Sequence, residues 1–218
     1  NKIDWNYLAR YTNAPWLIYN LPGDKNDGLF VRDTNGTPLV FDKKAKKIIP
    51  YTESTSSLSF VGEYDYNGYK VMPSFEVLAK EYLKKDYHPD NIAPQIDIDS
   101  KTIEKIASEL AEVAFEKEIR LPIKWTDWKG EKHNEMVGRP VSMHAMRGIS
   151  AHSNGFNTCK LIHILQILLG SIDTPGGFRY KPPFPKHVVP GPKPCGKTSK
   201  ANTPLGGMPL GFPASPED

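Results

Sequence analysis

The sequence is short of cysteine, of any excess of one charge, and of long hydrophobic runs. Its only cysteines are Cys159 and Cys195. Two cannot staple a small fold, and neither has a neighbour at zinc-ligand spacing. Lys and Arg total 28 against 25 Asp and Glu, leaving a net charge of +3 in 218 residues. That balance excludes a nucleic-acid binder of the strongly basic kind. The longest apolar stretch, Leu161–Leu169, is interrupted by His163 and Gln166. It falls well short of the roughly 20 residues that cross a bilayer. A starting methionine and a secretory signal pattern are also lacking. Proline, at 20 residues, is plentiful. Together these features predict a piece of a longer polypeptide with at least one end inside a fold.

Three zones follow along the chain. The first, to about Met72, opens with a predicted helix, Asp4 to Tyr11, and turns to strands. Trp16 to Tyr19 is apolar and β-prone. Asn35-Gly36 and Asn67-Gly68 are two-residue turn signals, because a type I′ turn needs positive φ at both central positions. They predict pairing of Leu29–Arg32 with Pro38–Phe41, and of Glu63–Tyr66 with Tyr69–Met72. The run Lys43 to Lys47 is a phosphate patch or a solvated hairpin edge, and lysines that block edge pairing favour the second. In the next zone, Ser74 is the expected cap of a helix to about Lys85, and Pro89 and Pro94 punctuate a loop. After Asp99-Ser100, residues Ile103, Ile106, Ala107, Leu110, Ala111 and Ala114 form one helical stripe. Beyond a Trp125–Trp128 loop, Pro140–Ala145 reads as a buried strand. In the third zone a polar loop leads to a helix from Phe156 to about Leu169, apolar on most faces and so expected to be buried, closed by Gly170. Residues 170–218 hold 11 Pro and 8 Gly among 49, too many for a conventional core.

The most informative stretch for chemistry is Met146 to Gly155. A strand–loop–helix junction collects unpaired N–H groups and the positive end of the helix dipole, which together favour anions. Arg147 adds a cation, Ser150, Ser153 and Asn154 add short polar groups, and Gly148 and Gly155 admit a ligand to the backbone. The spacing is neither GxGxxG nor a P-loop, and an ordinary connection turning at Asn154-Gly155 is the competing reading. Gly196-Lys197-Thr198 has no P-loop context. His133, His144, His152 and His163 make no paired metal-ligand set. His144 and His163 are expected in the core, and His152 is the functional candidate. Cys159 is expected to pack rather than react, and Trp125, Trp128, Tyr180, Phe184 and Phe212 to anchor loops.

The run Gly138 to Gly155, continued by Leu168-Leu169-Gly170-Ser171-Ile172-Asp173-Thr174-Pro175-Gly176-Gly177-Phe178, resembles molybdopterin oxidoreductases of the dimethyl-sulfoxide-reductase superfamily. Leu8 to Leu17 is similar to the superfamily's segment that follows the early strands of the second α/β domain, and Arg179 to Pro185 and Asn202 to Gly206 are similar to the branch with membrane-linked sulfite dehydrogenases and polysulfide, thiosulfate and tetrathionate reductases. The resemblance implies an α/β internal fragment of a multidomain catalytic subunit, with Rossmann-like portions, β-hairpin insertions and an extended tail. Residues 1–147 would end one cofactor-binding domain, 148–177 would return to a second, and 178–218 would be the Pro/Gly-rich extended segment.

It further implies a molybdenum bis(molybdopterin guanine dinucleotide) cofactor and a [4Fe-4S] cluster held by residues upstream. Arg147 would be catalytic, orienting an oxyanion. Gly148, Ile149, Ser150, His152, Asn154 and Gly155 would contact the cofactor, and no residue here is a metal ligand. The implied reaction is two-electron oxidation or reduction of a sulfur oxyanion or polysulfide, with this segment inactive alone. The implied partners are a quinone-reactive membrane anchor and an iron–sulfur electron-transfer subunit, giving a prokaryotic, membrane-associated assembly. The alternatives are a formate, nitrate or arsenic oxidoreductase, or a non-catalytic α/β module whose Pro-rich tail recruits a partner.

Overall fold

The computed structural model describes residues 2–54, 57–145 and 147–179. They belong to one compact unit, Asn1–Tyr180; a second, Lys181–Asp218, lies outside the described residues. With it go Cys195, the Gly196-Lys197-Thr198 fragment, Tyr180, Phe184, Phe212 and the extended tail.

Helix α1, Trp5–Tyr11, is started by Asp4, whose carboxylate accepts the Tyr7 N–H at 2.9 Å. Strand β1, Leu17–Tyr19, is followed by β2, Leu39–Asp42, and β3, Lys47–Pro50. β2 and β3 form the hairpin whose turn carries the exposed Lys43, Lys44 and Lys46. The expected partner of β2, Leu29–Arg32, makes only single bridges, Arg32 to Pro38 and Phe30 to Ile18. It is shared between β1 and β2, so neither pairing grows into a ladder. β4, Tyr64–Tyr66, and β5, Tyr69–Pro73, meet across Asn67-Gly68, where both φ angles are positive as a type I′ turn requires. The sheet order is β1-β5-β4, all antiparallel. Leu17, Val31, Leu39 and Val71 bury one core cluster between these strands, each worth about 1.5–3 kcal/mol of apolar burial.

Helix α2, Ser74–Tyr82, is capped by Pro73, not Ser74, whose hydroxyl instead donates to the Asn13 carbonyl at 2.7 Å. The segment read as a loop forms α3, Pro89–Ile96. Pro89 occupies the first turn, where no N–H is needed, and Asp97 ends the helix in the left-handed region. Helix α4, Ser100–Glu116, starts on Asp99, which accepts from Thr102. Its predicted stripe is buried at Ala111 and Ala114, but Ile106 is 51% exposed.

Strands β6, Ile119–Leu121, β7, Trp125–Thr126, β8, Lys132–His133, and β9, Met136–Gly138, follow. β6 pairs with β9 and β7 with β8, so they make one long antiparallel arm. The register shifts by one residue between the two pairs, where Pro122 supplies no N–H.

Pro140–Ala145 is not a strand. Its hydrogen-bonding partner is a side chain: Gln166 accepts the Met143 N–H at 3.0 Å and donates to the Met143 carbonyl at 3.3 Å. Val141 is buried and His144 exposed, correcting the expected core position of His144. A short helix α5, Arg147–Ser150, precedes α6, Gly155–Leu168. In α6, Gly155 and Gln166 are buried, Ile167 and Leu168 pack against Leu8, Ala14 and Phe75, and Phe156 is 79% exposed, so the helix is not buried on most faces as expected. Gly170 ends it at φ +66°, with the Ser171 N–H returning to the Gln166 carbonyl.

The architecture is mixed α/β with several small sheets. Every strand pair among the described residues is antiparallel. The expected Rossmann-like portions have no parallel βαβ unit among the described residues: the helical connection α2–α4 joins β5 to β6, which belong to different sheets.

Candidate functional site

A groove of about 1320 Å³ runs between α1, the β6–β9 arm and the 170–175 turn. At its centre, Asp127 opens the tip of the arm. Its Oδ1 accepts the N–H groups of Lys129 and Glu131 at 2.9 and 3.0 Å, and Gly130 closes the turn at φ +81°. The second oxygen, Oδ2, receives His133 Nε2 at 2.9 Å and a short hydrogen bond from Arg10. Burial alone would push this carboxyl up, but His133, Arg10 and the two backbone donors hold it well below the usual carboxylate range. Arg10 also pairs with Glu131 at 2.9 Å. Trp125 stacks on His133 at 4.4 Å.

Asp127, Glu131 and His133 bring their ligand atoms within 4.8 Å of one another, a spacing compatible with a metal ion. Arg10 decides against one. Its guanidinium bonds to both carboxylates, supplying the positive charge a divalent ion would bring, so the trio is a closed ion-pair cluster.

A second charged chain lines the same groove. Arg139 bonds to Asp4 and Glu118, and Arg120 to Glu118 and Glu135. Arg120 and Arg139 hold Glu118 below its ordinary range, against the opposing effect of burial. Lys129 sits 4.1 Å over the Tyr51 ring, and burial, then Arg10, lowers its pKa. The Tyr7 hydroxyl donates to the Ile172 carbonyl at 3.1 Å, and its pKa is pushed up to about 12, chiefly by burial and then by Asp173. The lining thus holds six carboxylates and four cations, three of the cations bound to carboxylates. Such a groove clamps α1 to the arm and repels small anions.

The predicted site residues lie elsewhere. Arg147 begins α5, followed by Gly148, Ile149 and Ser150, all three exposed. His152 and Asn154 are exposed in the turn before α6, and Asn154 makes no side-chain cap. Gly155 is buried, and a Cβ there would meet the Ser150 carbonyl oxygen at 2.1 Å. None of the described side chains from Gly148 to Gly155 lines the groove. Nor does any of the described ones carry a buried, partnerless polar atom; Trp16 Nε1 is the single such side-chain atom among the described residues. The described residues 148–154 are exposed and form no built cradle for a pterin.

Sequence reasoning missed the Arg10–Asp127–Glu131–His133 cluster. The available signal was the Asp-x-x-Gly turn at Asp127–Gly130, the same local pattern as Asp33–Gly36, where Asp33 also accepts two backbone N–H groups.

No family model matches the chain. It is similar to a sulfite dehydrogenase subunit of Allochromatium vinosum, with 41% identity over 228 residues that take in 99% of this chain. The chain spans 23% of that relative's length. This finding corrects the assignment to a molybdopterin oxidoreductase catalytic subunit. What it supports is likeness to part of a sulfite dehydrogenase subunit, with no family model behind the wider assignment. Among the described residues, no helix is long and apolar enough to cross a membrane.

Proposed function

We propose that the chain is a segment of a subunit that takes part in sulfite oxidation. The observation that carries this reading is the 41% identity, along 99% of the chain, to a subunit of a sulfite dehydrogenase. The reaction would be sulfite plus water and quinone giving sulfate and quinol. Two electrons leave sulfur, one oxygen arrives from water, and both protons end on the quinol. A quinone-reactive membrane anchor and an iron–sulfur electron-transfer subunit would carry the electrons. The groove is not the proposed sulfite site, because its carboxylates outnumber its cations and three of the cations are already paired. Its role in this reading is to fix α1, and through Asp4 the end of α6, in one arrangement: the Asp4 N–H donates to the Leu168 carbonyl at 2.8 Å.

The test is to purify the assembly carrying this polypeptide from its native source and supply sulfite with a water-soluble quinone. Sulfite-dependent quinone reduction with stoichiometric sulfate is expected. A purified assembly that reduces the quinone with another donor and never with sulfite refutes the reading.

A further inference from the structure

The β6–β9 arm is fastened at its two ends by different kinds of contact. Its base packs closely. A Cβ on Gly138 would stand 2.1 Å from the Pro175 carbonyl oxygen, and one on Gly176 would stand 2.7 Å from Ile119 Cδ1. Arg139, just after β9, donates to the Ala114 carbonyl at 3.2 Å and pairs with Asp4. The tip, residues 125–133, has no such packing. Between residues 119 and 137, Asp127 is the only buried residue, and it is charged. Trp128 is 60% exposed. The contacts of the tip to the rest of the described chain converge on Arg10 and Tyr51. Arg10 bonds to Asp127 and, at 2.9 Å, to Glu131, and its carbonyl accepts the Trp128 ring N–H at 3.1 Å. Lys129 and the Trp128 ring lie against the Tyr51 ring, at 4.1 and 6.2 Å. Tyr51 is itself tied to α1, donating to the Ala9 carbonyl at 2.8 Å.

Between base and tip the ladder is broken. The β6–β9 pairing ends at Leu121 and Met136, and the β7–β8 pairing begins at Trp125 and His133, one residue out of register. Pro122 has no N–H, and the Ile123 N–H turns back to the Leu121 carbonyl at 2.7 Å instead of crossing. Residues 122–124, 134 and 135 are all exposed. A side-chain bond, from the Trp125 ring N–H to the Glu135 carbonyl at 2.9 Å, spans the break. A segment with few buried apolar contacts and solvent-exposed hydrogen bonds opens at a lower free energy than the core. A two-stranded hairpin on its own is marginal in water, so the tip keeps its shape only while Arg10 and Tyr51 hold it.

We propose that residues 122–135 form a hinged latch: the tip releases from α1 and melts as one local unit while the base of the arm and α1 stay folded. Opening takes Asp127 and Glu131 away from Arg10 and removes one wall of the groove of about 1320 Å³. The latch goes beyond the sulfite reading and does not depend on it.

Amide hydrogen exchange, read residue by residue on the protein as its gene encodes it, tests this. The hydrogen-bonded amides of Asp127, Lys129 and Glu131 should be protected at least about tenfold less than the ladder amides of β6 and β9. Arg10→Ala should lower protection of the tip by about a further tenfold, because hydrogen bonds to charged groups are the stronger ones, and leave the base unchanged. Lys129→Ala leaves α1 untouched and should act in the same direction by a smaller factor; it decides the question where Arg10→Ala fails to fold. Equal protection of tip and base in the parent overturns the proposal. So does a variant that lowers both by the same factor, which makes the arm one cooperative body with the core.

Discussion

Gln166 is the side chain on which the segment from Val141 to Ala145 depends, and removing its amide should have a measurable cost. The residue is fully buried and bonds both polar groups of Met143, accepting the N–H at 3.0 Å and donating to the carbonyl at 3.3 Å. Gln166→Leu keeps the volume and removes both bonds. Each net hydrogen bond is worth about 1 kcal/mol, and each buried partner left unsatisfied costs about 1–3 kcal/mol. Met143 is only half-buried, so water relieves part of that cost. The expected loss is about 2–3 kcal/mol, which at a slope of about 2 kcal/mol per molar urea lowers the unfolding midpoint by about 1 M. Gln166→Glu separates the two bonds by pH. An ionised carboxylate still accepts the Met143 N–H but meets the Met143 carbonyl with no proton to donate. Burial and that carbonyl raise the folded pKa above the unfolded value of about 4.3. Stability of the variant is therefore fullest below that pH and falls as pH rises through the folded pKa. Urea titrations of parent and both variants from pH 4 to pH 8 measure this. A Gln166→Leu midpoint unchanged from the parent, or a Gln166→Glu penalty independent of pH, refutes the reasoning.

Gly138→Ala should destabilise by about 1–3 kcal/mol, since the new methyl would stand 2.1 Å from the Pro175 carbonyl oxygen; thermal melting checks it, and an unshifted melting temperature counts against the close approach. Tyr7, with its pKa pushed up to about 12, contributes stability that is complete below pH 10 and lost as pH rises through that value. Tyr7→Phe should flatten this alkaline limb, read by denaturant unfolding between pH 9 and pH 11. Asp127, held below its ordinary range, contributes stability present above the unfolded pKa of about 3.9 and lost as pH falls through the folded one. Asp127→Asn should be less stable at neutral pH and lose less on acidification, and an unchanged acid limb refutes the assignment. Zinc titrated into the parent should show no stoichiometric site at Asp127, Glu131 and His133, whereas Arg10→Ala should gain one by calorimetry; equal behaviour of the two proteins refutes the role given to Arg10.

Local signals were legible in the sequence wherever the backbone itself carried the information. Asn67-Gly68 marked a type I′ turn that forms, the stripe after Asp99-Ser100 marked a helix that forms, and Gly170 marked a helix end. Signals failed where a distant group decided the outcome. Pro140–Ala145 has the composition of a strand, but Gln166 takes the bonds a neighbouring strand would have made. Ser74 is a good cap residue, yet the Asn13 carbonyl, 61 positions away, claims its hydroxyl. The 89–96 helix was hidden by its prolines, although Pro89 stands where a helix tolerates one. The Arg10–Asp127 pair joins residues 117 positions apart, a separation that no local pattern announces.

The same contrast bears on where the chemistry lies. A sulfur oxyanion carries negative charge and needs donors not already committed to carboxylates. In the groove, Arg10, Arg120 and Arg139 are each bound to two carboxylates, and Lys129 lies over Tyr51. Bringing sulfite there would break charge-assisted bonds before forming any, and would leave carboxylates facing one another. The groove therefore serves the fold.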